Sequence, residues 1–316
     1  MVADQARAPR LHVFARSHGG ENRKGRPDFY DKTTCLASLI AAAEAVTPPA
    51  ELVFVNDGPL PADREQLMVA AGDVLQGEFG SNRNSFRSTV AMAAERPFDD
   101  DDLVWFAEDD YLYRPNAFLC LLEVAQRLTQ AQYFSLNAGE LVYRPATPVS
   151  SDVTTDPAAA APGQTAVDWV PSESTTSSFA VRVRQLREDA GLLRLMPFTG
   201  GAFDHATFLA LQGRYPFTRD ELRQDLLPLE HPVAQWPRPM LRGVVRSAVG
   251  LRALRRPSRR RTLYGPTGDL IAHLEIGAFD PSEDWESLAH ESWAWVERRR
   301  TGAGGPPTTI VGQTPS

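Results

Sequence analysis

The sequence Leu103-Val104-Trp105-Phe106-Ala107-Glu108-Asp109-Asp110-Tyr111 passes from a continuous apolar run directly into three adjacent carboxylates. Two earlier segments have the same pattern. Apolar residues 11–15 are followed by polar residues 16–18, and apolar residues 51–55 are followed by polar residues 56–58. Short, nearly continuous apolar runs are typical of strands that are covered on both faces of a sheet. All three segments are therefore predicted to be buried strands that end in chemically active side chains.

Helical patterns separate these strands. Apolar residues recur at intervals of three and four over residues 36–43 and, less regularly, over residues 86–93. A further helix is predicted soon after Pro115, and another strand at residues 133–136. Strand and helix thus alternate, which predicts an α/β fold with a doubly wound, mostly parallel sheet flanked by helices.

The composition changes near residue 145, which predicts a boundary between two halves. Residues 145–164 are rich in Pro, Ala, Ser, Thr and Asp without periodicity, as expected of a loop or lid. The predicted organisation is a flexible N-terminus at 1–10, a first half at 11–144, the loop at 145–164, a second half at 165–300 and a disordered tail at 301–316. The second half is predicted to contain a strand at 178–183, a helix at 204–212 and a last helix that begins with the capping pattern at Asp280 and ends near Arg300.

Composition and charge exclude several classes of protein. With 42% hydrophobic and 23% charged residues, the chain is an ordinary folded protein rather than a disordered one. Two cysteines are too few for a zinc ribbon, and the net charge of -7 argues against binding to nucleic acid. No apolar run approaches the roughly 20 residues of a membrane span, and the first ten residues are not expected to be a signal peptide. A cytoplasmic location is therefore expected.

The predicted strand ends converge on one edge of the sheet, where ligands bind in folds of this class. They bring together Arg16, Asp57, Glu108, Asp109 and Asp110. Three adjacent carboxylates need a counter-charge, and a hard divalent cation is the usual one. This predicts Mn²⁺ or Mg²⁺ together with a diphosphate ligand. The glycine motifs of dinucleotide-binding and P-loop enzymes are absent from the sequence, which makes those classes poor fits.

Two segments carry a resemblance to a known family. Val53-Phe54-Val55-Asn56-Asp57-Gly58 and Val104-Trp105-Phe106-Ala107-Glu108-Asp109-Asp110-Tyr111 resemble bacterial, family 2-like nucleotide-sugar glycosyltransferases of the GT-A fold. The resemblance covers residues 11–130 well. It implies a nucleoside-diphosphate sugar as donor, an acceptor that the sequence does not identify, and Mn²⁺ or Mg²⁺ as cofactor.

The resemblance also implies roles for individual residues. Asp57 would contact the nucleotide base, Asp110 would bind the metal, and Glu108 or Asp109 would bind the ribose or the metal. Glu108 stands where the family's D-x-D motif has its first Asp, so the division of roles among the three carboxylates stays open. Arg16, at the end of the first strand, joins this donor site.

The resemblance implies functions for three further residues. Each of them also has an ordinary structural role as the alternative. Arg83, in the segment from Ser81 to Ser85, would lie against the donor, or it is an exposed arginine after a helix N-cap. Asp204 would be the catalytic base of an inverting transfer, or an N-cap. His273 would complete the metal site, or lie with Glu275 on a solvated strand face.

A strongly basic segment extends from Arg238 to Arg261. It contains nine arginines, and no acidic residue occurs between positions 231 and 268. Apolar residues alternate with the arginines in a partly amphipathic pattern. Three hypotheses stay open: peripheral contact with an anionic membrane, binding of a phosphate-bearing donor or acceptor, and an ordinary surface helix.

These observations favour a metal-dependent glycosyltransferase. Inversion is favoured through Asp204, and retention stays open. A nucleotidyltransferase is the first alternative, because it shares the sheet and the acidic edge. A non-catalytic scaffold that binds sugar nucleotides is the second; it predicts nucleotide binding without turnover.

Overall fold

The computed structural model describes residues 7–20, 24–138, 149–154, 166–228, 232–255 and 260–301. Its first half contains β1 (Leu11–His18), α1 (Lys32–Glu44), β2 (Glu51–Asp57), α2 (Ala62–Ala71), β3 (Asp73–Gly77), α3 (Asn82–Glu95), β4 (Leu103–Glu108), β5 (Tyr111–Tyr113), α4 (Ala117–Arg127) and β6 (Tyr133–Phe134). Its second half contains β7 (Val149–Thr154), β8 (Ala166–Pro171), β9 (Phe179–Arg182), α5 (Val183–Leu193), α6 (Phe203–Leu211), α7 (Arg219–Leu226), α8 (Pro237–Leu254), β10 (Leu263–Pro266), β11 (Ile271–His273) and α9 (Trp285–Arg300).

Nine of the described strands form one sheet in the order β3-β2-β1-β4-β9-β6-β10-β8-β7. The four strands from β3 to β4 are parallel, and β8 and β9 run opposite to the other seven. The predicted doubly wound, mostly parallel α/β sheet flanked by helices is confirmed. The chain moves outward from β1 to β3 and then crosses back to β4, so the strand order reverses between β1 and β4. Ligands of open α/β sheets bind at this switch point.

The central strands are buried on both faces, as their apolar sequences predict. On one face, Val13, Phe54 and Trp105 pack in a cluster with residues of α1 and α4. On the other face, Phe14 and Phe106 pack in a cluster with residues of α3, α5 and α6. Side chains alternate along a strand, so successive residues contribute to different clusters. The same alternation decides where the polar residues at the strand ends point.

A second, two-stranded sheet joins distant parts of the chain. β11 pairs antiparallel with β5, and the register sets His273 opposite Tyr111. The two rings are stacked, with centroids 4.7 Å apart. This pairing carries a residue from late in the chain to the acidic end of β4.

Two sequence predictions about elements are corrected, and several further elements were not predicted. Residues 149–154, predicted within a loop, form β7 and pair antiparallel with β8. The last helix begins at Trp285 with Asp284 as N-cap, because the Asp280 carboxylate accepts from Ser282 N and closes a turn instead. The elements that were not predicted include β3, β5, β8, β10, α2, α5 and α7. The rest of the predicted loop, most of the predicted N-terminal segment and the tail from residue 302 lie outside the described residues.

Candidate functional site

The register of the central strands places the polar side chains at the strand ends on the two opposite faces of the sheet. Arg16 is aligned with Glu108 across the parallel pair β1 and β4, so the two side chains share the face that packs on α3. Ser17 and Asp109, the residue directly after β4, lie on the opposite side, where Ser17 Oγ donates to Asp109 Oδ2 at 3.4 Å and Lys32 of α1 contacts the same oxygen. The acidic run therefore extends into two sides of the sheet edge.

A cleft of about 390 Å³ opens beyond the carboxyl ends of β1, β2 and β4. Its lining includes Arg16, Ser17, His18, Lys32, Asp57, residues 80–82, Ser85, Glu108, Asp109 and Asp110. Five of the predicted donor-site and metal-site residues thus meet in one cleft, namely Arg16, Asp57, Glu108, Asp109 and Asp110. Arg83, Asp204 and His273, which the structure also describes, are not part of this lining.

Glu108 is paired with Arg16 on the α3 side. Arg16 Nη2 donates to Glu108 Oε1 at 2.6 Å, and its guanidinium lies over the ring of Phe86 at 5.2 Å from the centroid. Nη1 of the same arginine donates to the side-chain oxygen of Asn82. Burial raises the pKa of Glu108 above its ordinary value, and the charge of Arg16 opposes that shift. Arg16 is thereby fixed between the acidic run and the start of α3.

Asp109 is held by a buried lysine on the α1 side. Lys32 is 5% exposed, and its Nζ donates to Asp109 Oδ2 at 2.9 Å. The same ammonium donates to the backbone oxygens of His18 and Gly20, at 3.0 and 2.7 Å. His18 N also donates to Asp109 Oδ2, at 3.0 Å. Lys32 therefore joins the acidic run to the loop that follows β1.

Asp110 lies between a guanidinium and an imidazole. Arg26 Nη2 donates to Asp110 Oδ2 at 2.8 Å, and His273 Nε2 lies 3.2 Å from the same oxygen. Burial favours the neutral acid, but the hydrogen bonds and charges of His273 and Arg26 outweigh it and hold the pKa of Asp110 well below its ordinary value. The predicted neighbourhood of Asp110 and His273 is therefore present, and Glu275 Oε2 lies 3.6 Å from His273 Nε2.

The N-terminus of α3 opens into the same cleft. Ser81 is the N-cap and accepts from Asn84 N at 3.2 Å, and Ser81 and Asn82 both line the cleft. The first turn of a helix presents unsatisfied N–H groups and a positive dipole end to an anion. Arg83 is directed elsewhere, because its guanidinium lies over the ring of Phe198 at 5.1 Å.

Asp57 occupies the end of β2 and faces the cleft. Its Oδ1 accepts from Phe79 N at 2.9 Å, which connects β2 to the loop before α3. The following residue, Gly58, has a φ of 78°, a conformation that favours glycine. The tight turn lets the carboxylate stay at the rim of the cleft.

Asp204 lies in the first turn of α6, and Ala202 occupies the N-cap position, so the N-cap hypothesis for Asp204 is wrong. The preceding Phe203 packs on Phe86, with ring centroids 5.8 Å apart, and Phe86 lies beneath Arg16. The start of α6 is therefore connected to the cleft by two ring contacts. Gly200, four residues before Asp204, has a φ of 68°, and a Cβ there would meet Arg242 at 3.3 Å.

Whether the site fits the predicted metal ion depends on the arrangement of the carboxylates and His273. The described residues contain no group of three His, Cys, Asp or Glu side chains that could hold an ion. Asp110 Oδ2 and His273 Nε2 are 3.2 Å apart, close to the separation of about 3 Å between neighbouring ligands of an octahedral ion with ~2.1 Å bonds. Mg²⁺ often takes only one or two protein ligands and completes its shell with water and substrate phosphate. The spacing of the pair fits such an ion, but the counter-charge from which the ion was predicted is already supplied by Arg16, Lys32 and Arg26, and Arg26 competes for the same oxygen.

Sequence reasoning missed the basic partners of Asp109 and Asp110. A signal was present, because the chain contains only two lysines, Lys24 and Lys32, among 33 basic residues. Both pair with carboxylates around this site: Lys32 with Asp109, and Lys24 with Glu275. Arg26 had no comparable signal, since it is one arginine among many.

Comparisons with known proteins give distant matches. No family model matches this chain, and no curated protein matches it. Among solved structures, the chain is similar to residues 1–349 of S. aureus TarS, with 13% identity, coverage of 63% of this chain and 54% of that chain, and a TM-score of 0.38. This chain thus spans about half the length of the TarS fragment.

Two further solved structures have comparable scores. CMP:2-keto-3-deoxy-manno-octonic acid synthetase complexed with CTP has 15% identity, coverage of 63% of this chain and 83% of that chain, and a TM-score of 0.38. A mycobacterial protein has 14% identity, coverage of 93% of this chain and 75% of that chain, and a TM-score of 0.35. The likeness concerns the overall α/β fold, which the strand order of this chain shows independently.

Proposed function

We propose that the protein is a glycosyltransferase that moves a sugar from a nucleoside-diphosphate sugar to an acceptor hydroxyl. The observation that carries this proposal is the run Glu108-Asp109-Asp110 at the switch point of the sheet, which shares one cleft with Asp57 and the N-terminus of α3. A nucleoside diphosphate has a base, a ribose and two phosphates that need complementary groups at successive positions. The cleft provides acidic, hydroxyl and cationic side chains for these parts of the donor.

The donor would bind with its base near Asp57 and its diphosphate near the start of α3. Asp57 keeps one carboxylate oxygen for a base or ribose donor, since the other accepts from Phe79 N. Arg16, which bonds both Glu108 and Asn82, supplies a fixed positive charge beside the helix N-terminus. Backbone N–H groups at a helix N-terminus suit phosphate oxygens.

Mn²⁺ or Mg²⁺ is part of the proposal. Asp110 and His273 would hold the ion, with Glu108 or Asp109 nearby. When bound, the ion would supply charge neutralisation for the departing nucleoside diphosphate. Arg26 would have to release Asp110 Oδ2 or share it.

Asp204 is the proposed base for inverting transfer. Its carboxylate would accept the proton from the acceptor hydroxyl while that oxygen attacks the anomeric carbon and the bond to the diphosphate breaks. The contacts from Phe203 to Phe86 and from Phe86 to Arg16 support a position beside the donor cleft. Replacing a general base costs about 10²–10⁴-fold in turnover, so Asp204→Asn is expected to lower kcat by this factor and to leave donor binding intact.

Nucleotide binding is the first experiment. Thermal unfolding is followed with UDP-, GDP-, dTDP- and CDP-sugars, with and without Mn²⁺. A ligand at about 100 times its Kd adds about 2.7 kcal/mol to the stability of the folded state, so one nucleotide is expected to raise the Tm. Asp110→Asn is expected to abolish the Mn²⁺-dependent part. Asp63→Asn is the control, because it removes an exposed ion pair with Arg300 outside the cleft.

The products then distinguish the candidate functions. Release of a nucleoside diphosphate from the stabilising sugar nucleotide supports glycosyl transfer or its hydrolytic side reaction. Pyrophosphate release from a nucleoside triphosphate and a sugar phosphate would support nucleotidyl transfer instead. Binding without either product would support the scaffold hypothesis, and absence of any nucleotide effect would overturn the proposal.

A further inference from the structure

Exposed apolar side chains are concentrated on α8. Of the eleven large apolar residues that are exposed in the described part of the chain, five lie on this helix, namely Met240, Leu241, Val244, Leu251 and Leu254. At 100° per residue, these five fall within an arc of about 140° around the helix axis. We name this arc the outer face of α8. Leu241 is 65% exposed, so none of the described residues covers the face at this position.

The packing of the opposite side of α8 determines which way the outer face points. Gly243 and Gly250 leave no room for a side chain, because a Cβ would meet Leu226 at 2.9 Å and the Tyr215 ring at 2.2 Å. Arg242 and Arg246 both pair with the buried Asp225 of α7. Close packing and buried ion pairs therefore hold the helix with its outer face toward the surroundings.

The seven arginines of this segment that the structure describes divide into two groups. Arg242, Arg246 and Arg261 have carboxylate partners. The second group is exposed and has no carboxylate partner among the described residues; it consists of Arg238, Arg252, Arg255 and Arg260. No acidic residue occurs between positions 231 and 268 to neutralise this group locally. On the same scale, Arg252 lies about 20° and Arg238 about 60° beyond Leu241, so one edge of the apolar outer face carries positive charge without a carboxylate partner among the described residues.

We infer that the outer face of α8 binds an anionic membrane surface. A helix with an apolar face and bordering basic residues lies in the plane of the interface, with its apolar side chains at the boundary of headgroups and acyl chains. The arginines would contact lipid phosphates. None of the described helices combines the length and the apolar character that crossing a bilayer requires. A second copy of the chain fits this face poorly, because a symmetric pair would bring like-charged arginines together.

Vesicle co-sedimentation tests this inference independently of the donor site. The full chain is mixed with phosphatidylcholine vesicles with and without phosphatidylglycerol. Binding is expected only to the anionic vesicles, and added salt is expected to weaken it. The combined change Arg238→Gln, Arg252→Gln and Arg255→Gln is expected to weaken binding about a hundredfold, since one basic residue near the surface contributes about fivefold.

A second variant tests the apolar contribution. Leu241→Ser with Leu251→Ser is expected to reduce binding to the same vesicles, whereas the control Val69→Ser, at a 63% exposed position on α2, is not. Thermal unfolding of each variant checks that it is folded. Equal binding to neutral vesicles, or unchanged binding by both variants, would overturn the inference. So would light scattering that shows a dimer which the leucine changes dissociate, because the face would then be a contact between copies.

Discussion

Two groups of basic side chains in this protein have opposite surroundings. In the cleft, Arg16, Arg26 and Lys32 each donate to one carboxylate of the acidic run, at 2.6, 2.8 and 2.9 Å, and all three are largely buried. On α8, Arg238 and Arg252 are exposed and lack a carboxylate partner among the described residues. The cleft contains its own counter-charge, whereas the exposed arginines beside the outer face of α8 have none in the part of the chain that the structure describes.

This difference shows what an internal counter-charge does. Paired cations fix the carboxylates of the cleft in one arrangement before any ligand arrives, which favours an ordered cleft. Unpaired exposed cations add little to the stability of the fold and stay available for an external anion. The sequence alone presents both groups simply as basic residues, and only their partners separate them.

The largest expected effect on stability comes from breaking the cleft pairing at Lys32. Lys32→Met keeps most of the apolar stem and removes the ammonium that serves Asp109 and the backbone oxygens of His18 and Gly20. Leaving these acceptors without their donor is expected to lower the free energy of unfolding by about 2–4 kcal/mol. Urea denaturation at neutral pH measures the change.

The other lysine provides a matched control. Lys24 also pairs with a carboxylate, that of Glu275, but its side chain is 45% exposed. Lys24→Met is therefore expected to change the free energy of unfolding by about 0–1 kcal/mol. Equal losses from the two variants would contradict the distinction between buried and exposed cations.

Much of the fold and part of the site followed from the sequence for identifiable physical reasons. The apolar runs of β1, β2 and β4 predicted buried parallel strands, and parallel strands bring their carboxyl ends to one edge. Arg16, Asp57 and the acidic run therefore meet as predicted. His273 also lies beside Asp110, because β11 pairs with β5.

The remaining features depend on contacts that no local pattern encodes. Arg83 follows the N-cap as predicted, but its side chain contacts the ring of Phe198, which is more than a hundred residues later in the chain. Arg26 reaches Asp110 from a loop without periodicity. The capping pattern at Asp280 was ambiguous, because Asp284 offers an equally good cap at the helix start. Such choices are decided by tertiary packing.

A smaller effect is expected from the pH dependence of Asp110. His273 and Arg26 hold the pKa of Asp110 below its ordinary value, so its charge stabilises the fold above the pKa of the unfolded chain, near 3.9. This contribution is lost as the pH falls toward the lowered folded-state pKa. Asp110→Asn is expected to be less stable than the parent by about 1–2 kcal/mol at pH 7, and the difference is expected to shrink below about pH 4. A difference that stays constant from neutral pH to pH 3 in urea denaturation would argue against a charged Asp110.

The smallest effect on stability is expected from removing the exposed arginines of α8. Arg238→Gln, Arg252→Gln and Arg255→Gln together remove three positive charges that have no carboxylate partner within the described ranges. The free energy of unfolding is expected to change by less than about 0.5 kcal/mol, because surface changes away from specific contacts have small effects. Arg246→Gln is the contrasting change on the same helix, since it breaks a buried pair with Asp225 and a bond to Thr199 O. If the triple variant were the less stable of the two, the exposed arginines would be structural, and their availability to an external anion would be refuted.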